Sequence, residues 1–499
     1  MPPRTASDHL AAVDLGSNSF HLVVASLVGG ELRIVDRRRE RVALAAGLDA
    51  RKLLNAETQE RSLACLERFG ERLRGMPPAS LRAVGTSALR VARNARPFLA
   101  RAGEALGHPV EVISGSEEAR LIYLGVAHDL SDDARRRLVV DIGGGSTECI
   151  LGERFEALRT DSLHMGCVNY SSRFFPGGEL SPEAMERAVI AARLEVRSLE
   201  RPYRTLGWSE CIGSSGTIVA TSQILRENGW SESAITEKGL RRFRKAIASA
   251  GSIDKLAIPG LAAERNQVIA GGVAILSAIF EGLGIEEMRV SEGALREGIL
   301  YDLLGRVQHE DLRDRTIKGF AERYRVDAEQ AERVGLTARA LLEQAAGEWG
   351  IEEELGQRFL AWASRLHESG LSLSYGGYHK HGAYLVEHSD MPGFSREDQL
   401  LLALLIGGQR RKFSVSNLEA LQSSLQKPAL RLCVLFRLAV LLNRSRSTQP
   451  LPPMHLSVKR GGYALVFPDG WLEANPLTRA DLEEEAAHLK AVGIEAEAR

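Results

Sequence analysis

The chain has 499 residues, more than one hydrophobic core supports, because single cores stop growing at about 250–300 residues. Its formal net charge of −1 excludes binding to a polyanion through overall charge, so such a site would need local clusters of basic residues. The five cysteines are widely spaced and odd in number, which excludes a disulfide framework and a C-x-x-C zinc site.

The first half of the chain contains the same pattern of elements twice. Short apolar runs at 11–14, 20–27 and 32–35 predict three strands, and helices and strands then alternate to residue 126. The order begins again at residue 138, where Val140–Ser146 aligns with Val13–Ser19 at an offset of 141 − 14 = 127 residues. A repeat of this length predicts two related α/β domains that face each other across a cleft.

Beyond residue 310 the strand signals stop and helical periodicity continues to about residue 442. Three prolines at 450, 452 and 453 then interrupt the chain, and 454–467 alternates apolar and polar residues like a small β unit. We therefore predict two α/β domains, an all-α domain and a small α+β domain, with bounds 1–129, 130–309, 310–447 and 448–499.

Each repeat contains a strand that ends in Asp, followed by a turn rich in Gly, Ser or Asn. Glycines let the backbone turn tightly so that its N–H groups face an anion, and the polar side chains add donors. The alternative is a pair of tight hairpin turns without a ligand, but hairpins need neither the Asp nor the Ser in both copies. The predicted phosphate-binding residues are Ser17, Asn18, Ser19, Gly143, Gly144, Gly145, Ser146 and Thr147.

A third loop, at 213–217, lies between a predicted strand and a predicted helix. Free N–H groups at the start of a helix favour a phosphate, whereas an ordinary Ser or Thr N-cap is the alternative. Beside the other two loops it is interpreted as phosphate-binding, through Ser214, Ser215, Gly216 and Thr217.

Four motifs together resemble one family. They are Asp14-Leu-Gly-Ser-Asn-Ser-Phe-His, Asp141-Ile-Gly-Gly-Gly-Ser-Thr-Glu, Gly213-Ser-Ser-Gly-Thr and Gly293-Ala-Leu-Arg-Glu-Gly. The chain resembles the exopolyphosphatase/guanosine pentaphosphatase family over nearly its whole length. The resemblance implies two duplicated ribonuclease-H-like domains of the actin-like ATPase superfamily, followed by an all-α domain like the HD phosphohydrolases.

The resemblance also implies catalytic and metal-binding residues. Glu118, in Ser114-Gly-Ser-Glu-Glu-Ala-Arg, matches the catalytic base, and Arg90 matches an arginine near the terminal phosphate. The neighbouring Glu117 is interpreted as an acid that complements the helix dipole. Asp141 and Glu148 match acids associated with Mg²⁺, with Asp14 as a third candidate; a monovalent cation such as K⁺ is left open. Asp141 and Glu148 would lie on opposite faces of a straight strand, and the glycine turn lets them converge.

The helical region contains a His367-Glu368 pair where the HD resemblance requires His-Asp, so we expect a scaffold without a working metal site. Basic residues are dense around it, and a solvated surface is the ordinary explanation for such runs. The family resemblance instead favours a track for inorganic polyphosphate, made by His379, Lys380, His381, Arg410, Arg411 and Lys412.

The predicted function is hydrolysis of the terminal phosphate of inorganic polyphosphate, as in an exopolyphosphatase. The alternative is guanosine pentaphosphate 5′-phosphohydrolase activity, alone or together with the first. A polyphosphate sensor without activity, or a kinase or chaperone of the same superfamily, is the rival of another class. The sparse aromatic residues among the basic ones exclude nucleic acid as a partner, and the resemblance implies a homodimer.

The amino-terminal segment, Met1–Leu10, lacks the apolar region of a signal peptide. The longest strongly apolar run, Leu400–Ile406, is far shorter than the roughly 20 residues that a membrane helix needs. We therefore expect a cytoplasmic protein without an integral membrane segment, with peripheral membrane attachment as the alternative.

Overall fold

The computed structural model describes residues 9–28, 31–130, 135–307, 312–412, 415–459 and 461–499. The chain divides into two compact units, Met1–Glu310 and Asp311–Arg499. The first is α/β and the second is mainly helical, as predicted. The predicted boundary between residues 309 and 310 lies outside the described residues, and the other domain bounds stay predictions.

The first sheet has the strand order β3-β2-β1-β4-β5, in which β1–β3 are antiparallel neighbours and β4 and β5 run parallel to β1. Its strands are β1 (His9–Leu15), β2 (Ser19–Val28), β3 (Glu31–Arg41), β4 (Leu81–Gly85) and β5 (Val110–Val112). The accompanying helices are α1 (Ala56–Leu73), α2 (Ser87–Val91), α3 (Ala95–Leu106) and α4 (Gly115–His128).

The second sheet repeats this topology, since its order is β10-β11-β9-β6-β7-β8, with β6–β8 antiparallel neighbours and β9 parallel to β6. The strands are β6 (Arg136–Ile142), β7 (Thr147–Glu153), β8 (Glu156–Leu163), β9 (Glu210–Ser214), β10 (Ile235–Thr236) and β11 (Glu287–Val290). The helices are α5 (Cys167–Phe174), α6 (Pro182–Leu206), α7 (Ser215–Glu227), α8 (Glu237–Ala248), α9 (Asn266–Leu283) and α10 (Leu295–Val307).

The central strands are buried on both faces, which explains why they are continuously apolar rather than alternating. In β1, Val13 and Leu15 face a core formed with α1 and α3, whereas Leu10 and Ala12 face a second core. Val139 of β6 joins this second core, together with residues of α4 and α10. The two sheets therefore share one apolar layer.

The last helices of the two repeats cross between the sheets. Helix α4 packs on β7 and β8 of the second sheet, and α10 packs on β1 and β2 of the first. At the crossing, a Cβ atom on Gly298 would overlap the carbonyl oxygen of Leu121, and one on Gly125 would overlap that of Ala294. Only glycines let the two backbones approach this closely.

Helix α9 is a longer apolar segment than the run Leu400–Ile406, which the sequence pattern had indicated as the longest. Ala263–Leu283 is long and apolar enough to cross a membrane by length and composition, with a mean hydropathy of 1.4 over its best window. However, 83% of that window is buried inside the protein, where α9 packs against α5, α6 and α8. This burial is typical of a core helix.

The second unit has one apolar core that includes both its helices and its small sheet. The sheet order is β12-β13-β14, formed by β12 (His455–Lys459), β13 (Gly462–Val466) and β14 (Glu495–Ala498). The helices are α11 (Leu312–Arg323), α12 (Ala328–Trp349), α13 (Glu353–Leu366), α14 (Tyr378–His388), α15 (Arg396–Gly408), α16 (Ser423–Leu442), α17 (Trp471–Ala474) and α18 (Pro476–Lys490).

The crossing of α4 and α10 predicts that Gly298→Ala destabilises the protein by about 1–3 kcal/mol, because the new methyl group has no space. Urea unfolding followed by circular dichroism measures this. Gly103→Ala in α3 is the matched control, since a Cβ there meets its nearest atom at an ordinary 3.5 Å and alanine favours a helix by about 1 kcal/mol. Equal stability of the two variants would contradict the close crossing.

Candidate active site

The two Asp-Gly loops lie against each other at the carboxyl ends of β1 and β6. A Cβ atom on Gly144 would lie 3.0 Å from Cβ of Ser17. One on Gly145 would lie 2.7 Å from Oγ of Ser87 and 3.2 Å from Oγ of Ser17. The glycines are therefore needed where the loops of the two repeats meet, and the predicted cleft exists.

A pocket of about 360 Å³ opens between these loops. The predicted residues that line it are Asp14, Ser17, Asn18, Ser19, Glu118, Asp141, Gly143, Gly144, Gly145, Ser146, Ser215, Gly216 and Thr217. They come from both repeats and from all three predicted loops. The tertiary structure thus brings together most of the residues selected from the sequence.

Two predicted phosphate ligands are instead used inside the fold. Oγ1 of Thr147 donates a hydrogen bond to the carbonyl of Met165 (2.5 Å), and Oγ of Ser214 donates to the carbonyl of Gly293 (3.0 Å). Both side chains are buried and neither residue lines the pocket. Their hydroxyl groups hold the loops in place.

The acidic residues converge through strand pairing. Asp141 and Glu148 are direct cross-strand partners in the β6–β7 hairpin, so their side chains project from the same face of the sheet. The expectation from a straight strand, which puts them on opposite faces, does not apply across a hairpin turn. Oγ of Ser162 donates a 2.8 Å hydrogen bond to Oε1 of Glu148.

These carboxylates are buried with too few positive partners. Burial raises the pKa of Asp14 to about 8 and that of Asp141 to about 7, and burial with the nearby Glu118 carboxylate raises the pKa of Glu148. Oδ1 of Asp14 and Oε2 of Glu148 are buried without a hydrogen-bond partner. Hard oxygen ligands with free lone pairs in an excess of negative charge fit a divalent cation.

Within the described residues, no three acidic, His or Cys side chains are close enough to enclose one metal ion. This excludes a cage made by protein ligands alone in that part of the chain. It does not conflict with Mg²⁺, which keeps several water ligands and is usually held by one or two carboxylates and the substrate phosphates.

Glu118 lies at the start of α4, where Oγ of Ser114 caps the helix by accepting a hydrogen bond from the Glu117 N–H group (3.1 Å). Nη1 of Arg90 donates to Oε2 of Glu118 (2.7 Å) and to the carbonyl of Ile113 (3.1 Å). Glu118 lines the pocket and Arg90 does not. Arg90 therefore contacts the candidate base without lining the pocket itself.

Glu117 points away from the pocket into a buried network of charges. Its carboxylate accepts hydrogen bonds from Arg120 (2.8 and 2.9 Å) and forms an ion pair with Arg82 (3.7 Å). Both arginines also contact Asp302 of α10, at 2.5 and 2.9 Å. Glu117 thus anchors α4 to α10, a role that the helix-dipole interpretation did not include.

Sequence reasoning missed several cationic residues that line the pocket, namely Arg39, Arg265 and Arg296. Nη1 of Arg296 lies 2.8 Å from Nδ1 of His21, and burial, Arg296 and Arg39 lower the pKa of His21 to about 3. The sequence did contain signals for Arg296 and His21. Arg296 lies in the fourth quoted motif, and the repeat offset of 127 residues (21 + 127 = 148) makes His21 the counterpart of Glu148.

In the second unit, the guanidinium of Arg446 donates a hydrogen bond to Glu368, the acid of the predicted His367-Glu368 pair.

Of the predicted basic track, His379 is buried, and burial with Arg410 and other cations lowers the pKa of His379 to about 4. It is therefore uncharged at neutral pH. Lys380, Arg411 and Lys412 are exposed, and Arg410 lies over the ring of Tyr378 at 5.3 Å.

Comparison with known proteins matches both units. Residues 23–307 match the Ppx/GppA phosphatase family, and residues 312–486 match Ppx/GppA phosphatase, domain III. Two guanosine-5′-triphosphate,3′-diphosphate pyrophosphatases are 41% identical, from Aeromonas hydrophila over 97% of both chains and from Vibrio cholerae over 99% of this chain and 98% of that protein.

Two solved structures are similar in fold to about three fifths of this chain. An exopolyphosphatase from Cytophaga hutchinsonii is 25% identical with a TM-score of 0.54, over 59% of this chain and 97% of that chain. A Ppx/GppA family member from Aquifex aeolicus is 26% identical with a TM-score of 0.51, over 61% of this chain and 98% of that chain. The predicted fold class is confirmed.

The buried charge network predicts that Asp302→Asn destabilises the protein by about 3–5 kcal/mol, because Arg82, Arg120 and Arg306 lose their shared partner. Burial alone would raise the pKa of Asp302, but Arg120, Arg306 and Arg82 outweigh it and hold that pKa well below the usual range.

The pH dependence follows from the sign of that shift. A depressed pKa gives stability that is present above the unfolded pKa of about 3.9 and is lost as the pH falls below it. Urea unfolding at pH 7 and at lower pH should show a weaker acid dependence in Asp302→Asn than in the wild type. Asp36→Asn, which alters a half-buried surface pair, is the control and should cost less than about 1 kcal/mol.

Proposed function

The chain belongs to the Ppx/GppA phosphatase family and is a phosphohydrolase of phosphoanhydride bonds; on that premise we propose that it acts on guanosine 5′-triphosphate,3′-diphosphate. It would release the terminal 5′ phosphate as orthophosphate. The 41% identity to guanosine-5′-triphosphate,3′-diphosphate pyrophosphatases over almost the full length supports this substrate.

The order of the two candidate substrates is thereby reversed relative to the sequence analysis, which placed inorganic polyphosphate first. The exopolyphosphatase from Cytophaga hutchinsonii supports polyphosphate as the second candidate, but it is similar over only 59% of this chain and at lower identity. The basic residues that suggested a polymer track lie in the second unit, and His379 among them is buried and neutral. The cytoplasmic location and the homodimer stay predictions.

One observation carries the proposed chemistry: the glycine loops of both repeats and the Glu118 carboxylate line the same pocket. Backbone N–H groups of the Gly143–Ser146 turn and the hydroxyl of Ser17 would hold the terminal phosphoryl group. Phosphoryl transfer depends mainly on such positioning and on electrostatic stabilisation.

In the proposed mechanism, Glu118 accepts a proton from a water molecule as that water attacks the terminal phosphorus in line with the leaving oxygen. The carboxylate is held by Arg90 on one side. In this structure, Arg90 therefore acts as a positioning residue for Glu118. On the other side of α4, the Glu117–Arg120–Asp302 network keeps the helix start in place.

The carboxylates of Asp141, Glu148 and Asp14 are the proposed ligands of Mg²⁺ or of its bound waters. Their unpaired buried oxygens and raised pKa values support this assignment. When bound, the cation would neutralise negative charge on the phosphate oxygens.

Replacement of the proposed base, Glu118→Gln, should lower kcat for phosphate release from guanosine 5′-triphosphate,3′-diphosphate by about 10²–10⁴-fold. Orthophosphate release measures this, with long-chain polyphosphate as a parallel substrate. The exposed Glu71→Gln in α1 is the control and should retain full activity.

Full activity of Glu118→Gln on both substrates would refute the mechanism. Wild-type protein that cleaves polyphosphate and leaves the nucleotide intact would refute the proposed substrate but not the mechanism.

Removal of divalent metal with EDTA should abolish phosphate release, and added Mg²⁺ should restore it. Asp141→Asn should raise the Mg²⁺ concentration for half-maximal activity by about tenfold or more, which corresponds to a loss of about 1.4 kcal/mol of binding free energy. Glu71→Gln again serves as the control. An enzyme that stays fully active in EDTA would contradict the metal assignment.

A further inference from the structure

Three neighbouring strands of the second sheet carry a row of polar residues on one face. Asp141 of β6 is the direct partner of Glu148 in β7, and Glu148 is the direct partner of Ser162 in β8. Directly opposite residues on antiparallel strands project from the same face of a sheet. The row therefore runs from the pocket, which Asp141 lines, to Ser162, which is not among the lining residues.

The hydroxyl of Ser162 holds one of the two carboxylate oxygens of Glu148. Oγ of Ser162 donates a 2.8 Å hydrogen bond to Oε1 of Glu148. Glu148 is fully buried, and its Oε2 has no hydrogen-bond partner among the described residues. Hydrogen bonds of this kind orient carboxylates that bind metal ions. With Oε1 held, Oε2 keeps one position for a cation or for its bound water.

A second hydroxyl near this carboxylate has a different use. Ser146 also interacts with Glu148, but it lies in the glycine turn and lines the pocket. A bound phosphate would compete for its hydroxyl group. Ser162 is therefore the donor that can hold Glu148 while substrate occupies the pocket.

The side chain of Ser162 also contacts the start of α4. A Cβ atom on Gly115, the first residue of α4, would lie 2.6 Å from Cβ and 2.7 Å from Oγ of Ser162. Only a glycine allows this approach. The same Cβ would lie 3.8 Å from Nη2 of Arg90, whose Nη1 donates to Glu118. Ser162 thus contacts both the Glu148 carboxylate and the helix start that carries the proposed base.

The backbone of β8 is held in place independently of the Ser162 hydroxyl. The preceding residue, Asp161, projects from the opposite face of the strand, where it forms an ion pair with Arg159 (2.7 Å). Oη of Tyr203 lies 3.0 Å from Oδ2 of Asp161 and 2.6 Å from the carbonyl oxygen of Cys149 in β7. Removal of the Ser162 hydroxyl alone should therefore leave the strand where it is.

We propose that Ser162 is a positioning residue that fixes Glu148 relative to the start of α4, so that the bound cation and Glu118 keep a constant separation. This assignment rests on the metal site of the proposed function. Serine suits both contacts, because it donates a hydrogen bond and is small enough to pack against Gly115. Loss of such an outer hydrogen bond lowers metal affinity about 10–100-fold.

The test uses Mn²⁺ as the probe and Ser162→Ala in the full chain. Titration without nucleotide, followed by the EPR signal of free Mn²⁺, should show a Kd about 10–100-fold higher than in the wild type. The Mg²⁺ concentration for half-maximal phosphate release should rise by a similar factor, and kcat at saturating Mg²⁺ should change much less. A merely structural defect would instead lower kcat and leave the Kd of the folded protein unchanged.

The matched control is Ser172→Ala, because Ser172 is exposed and its Oγ donates within its own helix, to the carbonyl of Val168 (3.1 Å). Its Mn²⁺ affinity should equal that of the wild type. Urea unfolding in EDTA shows whether each variant is folded without metal. If Ser162→Ala does not fold, Ser162→Cys replaces it, since a thiol is a weak donor and should also raise the Kd.

Equal Mn²⁺ affinity of the folded variant and the wild type would overturn the assignment, and so would a lower kcat with an unchanged Kd. The proposed function fails in other ways. Wild-type protein that binds no Mn²⁺ would refute the metal site together with this role of Ser162. Normal Mn²⁺ binding, weakened by Ser162→Ala, in a protein that does not hydrolyse the nucleotide would support the role of Ser162 and contradict the substrate alone.

Discussion

The close crossing of α4 and α10 is the constraint on which the rest of the first unit depends. Each helix belongs to one repeat and packs on the sheet of the other, and the glycines at 125 and 298 bring the two backbones into contact. Because the helices begin at the pocket, the crossing fixes Glu118 of α4 and Arg296 of α10 relative to both Asp-Gly loops. The cleft is thus held by backbone packing.

The two sides of the start of α4 differ in how well their carboxylates are neutralised. Behind the helix, Glu117 and Asp302 are neutralised by Arg82 and Arg120, which makes a closed network between elements of both repeats. In front of it, the four carboxylates of Asp14, Asp141, Glu148 and Glu118 lie near only two guanidinium groups, those of Arg90 and Arg296. A protein interior tolerates this imbalance only when a bound cation or a proton offsets it. One helix start therefore separates a structural ion network from a site prepared for a cation and a phosphate.

Several features of this site followed directly from the sequence. The repeat at an offset of 127 residues predicted two equivalent loops, and each loop does follow a strand whose penultimate residue is Asp, Asp14 in β1 and Asp141 in β6. Local residue types could not show which hydroxyl groups are free. Thr147 and Ser214 looked like donors for phosphate, but their partners, Met165 and Gly293, are 18 and 79 residues away in the chain. Only packing decides whether such hydroxyl groups face the pocket.

The sequence by itself determined the duplicated α/β fold, the loops and the family, because strand periodicity, glycine turns and motif spacing are local properties of the chain. The tertiary structure decided which charges meet. Glu118 meets Arg90, 28 residues away, and Arg82 meets Asp302, 220 residues away. Likewise, Arg39 and Arg265 come from different repeats, and nothing near either one in the sequence marks it as part of the site. Long-range pairing and burial set these contacts, so they required the folded chain.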